Sequence, residues 1–155
     1  MPKIHFYWMA MGLVCNALKV APESLTVVVV LHELAHAYSH LGQDIDSNCW
    51  DVESFAHADL RIVEGIAQFY TGAICEKMKE RYPAALSAYQ ALLEIQSGPY
   101  VVHQNWERAP DKNAPSPRAG EVVRASMVEC RTPGICDYDT FVRAVEFSHE
   151  RLSAR

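Results

Sequence analysis

Leu31-His32-Glu33-Leu34-Ala35-His36-Ala37 lies inside a run of apolar residues that starts at Val27 and ends at Tyr38, broken only by the two histidines and Glu33. On a helix of 3.6 residues per turn, side chains four apart point within about 40° of each other. His32 and His36 can therefore reach one metal ion from the same face, and Glu33 sits beside the first ligand, where a carboxylate can deprotonate a metal-activated water. The uncharged flanks at Val29, Val30, Leu34, Ala35, Ala37 and Tyr38 suit a buried helix, since a surface helix would carry Lys or Glu at some of them. The four consecutive valines at 27–30 favour a strand. The histidine spacing and the long apolar periodicity outweigh them, which predicts a helix from Pro22 to about Leu41, opened by Pro22-Glu23.

Catalytic zinc usually takes three protein ligands and leaves one position for water. Glu64 is the candidate third ligand. It stands in Arg61-Ile62-Val63-Glu64-Gly65-Ile66-Ala67-Gln68-Phe69-Tyr70, where Ile62, Ile66, Phe69 and Tyr70 make an apolar helical face. A carboxylate in such a face is costly unless something pairs with it, and a cation would. Gly65, a helix-weakening residue, fits a place where a neighbouring backbone or a metal ligand comes close.

His32-Glu33-x-x-His36 followed by Glu64-Gly65-x-Ala67 resembles the gluzincin branch of the zincin metallopeptidases. The resemblance covers roughly residues 20–72. It implies that His32, His36 and Glu64 bind Zn2+, that Glu33 is the general base, and that the chain hydrolyses peptide bonds in a peptide or protein substrate. The alternative is a catalytically inactive zincin-like binding or regulatory module; a third reading is a helical protein without metal. His40 lies one turn beyond His36, too far along the axis to share the ion. Many gluzincins place an acidic residue four positions after the glutamate ligand, where it orients a histidine. Here that position is Gln68, which can accept a hydrogen bond from an imidazole without supplying charge; Asp59, Asp51 or a backbone carbonyl could take that role.

The 155 residues suit a single domain with a sizeable core, 1–155. Half are hydrophobic and 21% are charged, the balance of a soluble globular protein. A net charge of −5 gives no electrostatic case for nucleic acid. The five cysteines form no C-x-x-C pair, which argues against a disulfide framework or a Cys-rich zinc site. Reduced thiols in a cytoplasmic protein are expected, although the Pro133-Gly134 turn would let Cys130 and Cys136 bridge in an oxidising compartment.

The remaining pattern predicts a strand at Ile4–Trp8 and helices over 9–20, 51–58, 59–81, 83–96, 119–130 and 138–152. Asp44–Asn48 briefly resembles a calcium loop but has Cys49 and Phe55 at the sixth and twelfth positions, so an EF-hand is rejected. Residues 98–118 hold four of the eight prolines and read as irregular. Tyr100 and His103 in this segment are candidate substrate-binding residues for a tetrahedral oxyanion. The fold class is therefore mainly α: a reduced zincin-like α+β domain with an active-site helix, a glutamate helix and a minimal N-terminal strand. A lone strand cannot satisfy its own backbone. Either the domain is reduced, or the chain is the C-terminal part of a longer protein, or a homodimer or partner chain completes the sheet. No segment is long and apolar enough for a membrane span.

Overall fold

The computed structural model describes residues 4–41, 49–108, 116–131 and 136–154. Among them are eight α-helices: α1 (Trp8–Leu18), α2 (Pro22–Leu41), α3 (Val52–His57), α4 (Leu60–Met78), α5 (Pro83–Ile95), α6 (His103–Trp106), α7 (Ala119–Cys130) and α8 (Tyr138–Ser153), with a single 3-10 turn at Gly98–Tyr100 between α5 and α6. The protein is mainly helical, and no strand occurs among the described residues. The calcium-loop-like Asp44–Asn48 and the Pro133-Gly134 turn lie outside them.

The expected N-terminal strand is corrected. Residues 4–7 are coil, and Trp8 already begins α1. Aromatic and β-branched residues favour a strand only where a neighbouring strand offers partners; none occurs among the described residues, and the run from Trp8 to Leu18 contains no proline or charge to stop a helix. The strand that was to carry dimerisation is therefore missing. No single helix among the described residues is long and apolar enough to cross a membrane.

Helix α4 is the hub, packing most extensively on α2 and also against α5, the 3-10 turn and α6. Ile62, Ile66 and Phe69 turn its first half into a core shared with Trp106, Val122, Val123, Met127, Phe141 and Val145. Cys75 belongs to a second core, built with Val28, Ala85, Ala88 and Tyr89 and flanked by Val27 and Leu31. The valines of α2 thus stay helical because they pack: Val28 is 1% exposed, Val27, Val29 and Val30 are half-buried, and packing outweighs the small helical penalty of a branched side chain. Asp51 caps α3 by accepting from Ser54 N at 2.9 Å, and Asp59 caps α4 by accepting from Arg61 N at 2.9 Å.

Two close approaches fix the helices around the hub. A Cβ at Gly65 would run into Cη2 of Trp106 and lie 2.9 Å from its Cζ3 and from Cγ2 of Val102. The glycine therefore admits an indole, not the backbone or metal ligand expected from sequence. Trp106 is 1% exposed, packs on Phe141 with ring centroids 4.6 Å apart, and its carbonyl oxygen lies 2.8 Å from His149 Nε2. The segment expected to be irregular is thus pinned to both α4 and α8. The expectation that all thiols stay reduced is corrected at one pair: Cys130 and Cys136, with Cα atoms 5.5 Å apart, form a disulfide at the end of α7. Cys15, Cys49 and Cys75 are free.

Candidate metal centre

Helix α2 presents His32 and His36 on the face that meets α4, and α4 presents Glu64 from the facing turn. His32 Nε2 and Glu64 Oε2 are 3.1 Å apart, His32 Nε2 and His36 Nε2 3.1 Å, and His36 Nε2 and Glu64 Oε2 3.5 Å. The imidazoles meet edge to face, with an interplanar angle of 89°. The three side chains are partly buried, between 15% and 21% exposed, so they stay open to solutes.

These separations permit a test of fit. Nitrogen and oxygen donors around tetrahedral zinc at about 2.0–2.1 Å stand about 3.3 Å from one another, and the three measured distances bracket that value. The circle through the three atoms has a radius of about 1.9 Å, slightly shorter than a zinc–ligand bond. One ion can therefore touch all three and retain an open position. The trio is a group able to hold a metal ion.

Burial alone would push the Glu64 carboxyl up, but hydrogen bonds from His32 and His36 and the charge of those rings hold it down at about 2. Glu64 is thus ionised and ready to ligate.

The trio forms one end of a cleft of about 460 Å³, whose walls also include Val28, Val29, Glu33, Gln68, Leu92, Gln96 and Tyr100. Glu33 follows His32 in the chain and faces the same space. Tyr100 is brought in by the 3-10 turn, its ring centroid 6.5 Å from that of His32. The negative charge of Glu64, with some burial, raises the Tyr100 hydroxyl above its ordinary value. It remains a proton-bearing donor at neutral pH.

His103 does not join this cleft. It is 2% exposed, with Nε2 3.1 Å from the Tyr89 hydroxyl, which itself donates to the Gln68 carbonyl at 3.0 Å. Burial lowers its pKa to about 4, so the ring is neutral. The expectation of a substrate-binding His103 is corrected to a buried polar anchor. Nor does Gln68 serve a histidine: its Nε2 donates to Gln96 Oε1 at 3.0 Å. Asp51 and Asp59 are taken by their helix caps, and Asp59 also pairs with Arg61 at 2.6 Å. His40 stacks on Phe55 at 4.8 Å, away from the trio. Sequence reasoning missed Gln96 and Leu92, which bear no motif and reach the cleft only because α5 packs against both α2 and α4.

No protein-family model matches the chain, and no curated protein or solved structure matches it at a significant level.

Proposed function

We propose that this protein is a zinc-dependent hydrolase of peptide bonds, a zincin-like metallopeptidase in a mainly helical setting. The observation that carries the reading is the convergence of two imidazole nitrogens and one carboxylate oxygen, from two helices, at separations that suit a single tetrahedral ion. Zinc held there supplies Lewis acidity toward a carbonyl oxygen and toward water. Glu33, on the same cleft wall, takes the proton of the attacking water and delivers it to the departing amine. Tyr100 donates a hydrogen bond to the oxygen that gains charge as the carbonyl becomes tetrahedral. The apolar walls at Val28, Val29 and Leu92 limit water around the reacting atoms and strengthen both contacts.

Metal analysis of protein purified without chelator, paired with turnover of a peptide library, tests this reading. Wild type should carry about one zinc per chain and Glu64→Ala much less, because two imidazoles alone leave the site a ligand short. Glu33→Gln should keep the metal and lose turnover; retained turnover refutes the assigned base. Zinc well below one per chain in the wild type refutes the metal centre. One observation favours a second reading, a metal-holding module without catalysis: Gln68 is committed to Gln96, so this position supplies no charge to a histidine. That reading predicts zinc without hydrolysis of any peptide.

A further inference from the structure

A helix on the surface of a globular protein turns charged and polar side chains outward. Helix α1 does not. It contains no Asp, Glu, Lys or Arg, and only Cys15 in it is fully buried. Trp8, Met9, Gly12, Leu13, Asn16 and Ala17 are all exposed. At about 100° per residue they spread over roughly 180° of the helix, so its whole outward half is uncharged. Trp8, Met9 and Leu13 are 66%, 83% and 67% exposed, and Tyr7, just before the helix, is 75% exposed. A helix that is apolar on its outer side as well as its inner one is a helix that something covers.

Size and chemistry decide what covers it. The four large side chains leave roughly 600 Å² open, at the upper limit of what a monomer exposes in one patch and short of the roughly 800 Å² per partner that a stable protein complex buries. A protein partner would also need about one hydrogen bond per 100–200 Å². The one polar side chain on this half, Asn16, already accepts from Lys19 Nζ at 3.3 Å. Lipid tails require neither shape nor hydrogen bonds. Tyr7 and Trp8 stand at one end of α1, and these ring types favour the boundary between hydrocarbon and headgroups. At the other end Lys19, in a left-handed conformation (φ 57°), places a cation on a flexible stem that can reach a headgroup phosphate. The 11 residues of α1 span about 16 Å, half of a roughly 30 Å hydrocarbon core, so the helix can lie along a membrane surface and not cross it. Its inner flank continues the same chemistry: a groove of about 240 Å³, walled in part by Phe6, Met11, Val14 and Leu25, is lined by no Asp, Glu, Lys or Arg.

We propose that α1 is a membrane-surface anchor, whose outward half beds with Tyr7 and Trp8 into the interface of a lipid bilayer through apolar burial. The lipid is one of neutral headgroup, since a net charge of −5 gives anionic lipid no advantage. The proposal is independent of the metal centre and of the hydrolase reading.

The full chain reports on this with its own fluorescence. Trp50 and Trp106 are each 1% exposed, so Trp8 is the one tryptophan that lipid can reach. Phosphatidylcholine vesicles, with and without phosphatidylserine, are titrated into the wild type. Trp8 emission should shift to the blue, phosphatidylcholine with brominated chains should quench it, and flotation should carry the protein with vesicles of both kinds. Met9→Asp and Leu13→Asp alter exposed side chains only, so circular dichroism should match the wild type. Each should weaken partitioning by about tenfold or more, because a charge replaces a side chain that enters lipid. Phe147→Asp, at an exposed apolar residue of α8, should leave partitioning unchanged. Absence of binding to either vesicle, binding that survives Met9→Asp combined with Leu13→Asp, or binding to phosphatidylserine vesicles alone overturns the proposal. Sedimentation without lipid covers the other occupant: a dimer that the double variant dissolves assigns the face to a second copy and overturns the proposal as well.

Discussion

Alanine at Gly65 and at Gly12 should move stability in opposite directions. Both glycines lie inside helices, α4 and α1. In an open helical site the change from glycine to alanine adds about 0.5–1 kcal/mol, because glycine loses more backbone freedom on folding. Nothing lies within 4 Å of a Cβ at Gly12, so Gly12→Ala should show that gain, a rise of roughly 1–4 °C in Tm for a chain of this length. A Cβ at Gly65 meets two atoms of the Trp106 indole and Cγ2 of Val102. Trp106 cannot retreat, since Phe141 backs it and its carbonyl is held by His149. Forced overpacking of this kind costs about 1–3 kcal/mol. A clash with a ring that cannot retreat belongs at the upper end of that range, so after the propensity gain is subtracted Gly65→Ala should be less stable than wild type by about 2 kcal/mol, or roughly 4–8 °C in Tm. Thermal and urea unfolding followed by circular dichroism, with Trp fluorescence reporting on the indole, measure both variants. A Gly65→Ala protein as stable as wild type, with unchanged fluorescence, would refute the close packing of α4 on the loop that carries Tyr100.

Tyr100→Phe should lower kcat by about 100–1000-fold with little change in KM, the usual loss when one oxyanion donor is removed, while metal content stays the same; an unchanged kcat removes Tyr100 from the reaction. In metal-stripped protein the Glu64 carboxyl titrates at about 2 when folded, against an ordinary 4.5. A depressed carboxylate stabilises the fold above its unfolded value and ceases to do so as pH falls through its folded value. The stability difference between wild type and Glu64→Gln, on the order of 3 kcal/mol, should therefore be present above pH 4.5 for as long as the two imidazoles keep their charge, and shrink toward zero near pH 2. Urea titrations across that range check it, and a difference independent of pH excludes the ionised contact.

Much of this was legible because the deciding residues carry local signals. His32 and His36 are readable from helical spacing alone. Glu64 stands out as a carboxylate in the apolar face of Ile62, Ile66 and Phe69. Pro22 and Pro83 mark helix starts, and both α2 and α5 begin at them. What was not legible depends on partners distant in sequence. Phe6-Tyr7-Trp8 has strand-forming residues, yet strand formation needs a neighbour that composition cannot reveal. Gly65 announced a close approach but not that an indole 41 positions later would fill it. His103 and Tyr100 share one segment and similar chemistry; only the turn at 98–100 decides that the phenol reaches the cleft while the imidazole faces Tyr89. Gln68 has the register of a residue that orients a histidine, and nothing in the sequence shows that Gln96 comes close enough to take it.

Every residue lining the cleft belongs to a helix, to the 3-10 turn or to a helix cap. Helical amides and carbonyls satisfy one another along the chain, leaving no open edge on which a bound polypeptide could extend a sheet. Among the described residues, recognition of the proposed peptide would then rest mainly on side chains. A ligand whose backbone nitrogens carry methyl groups away from the bond under attack should lose little, whereas one with altered side chains should lose much.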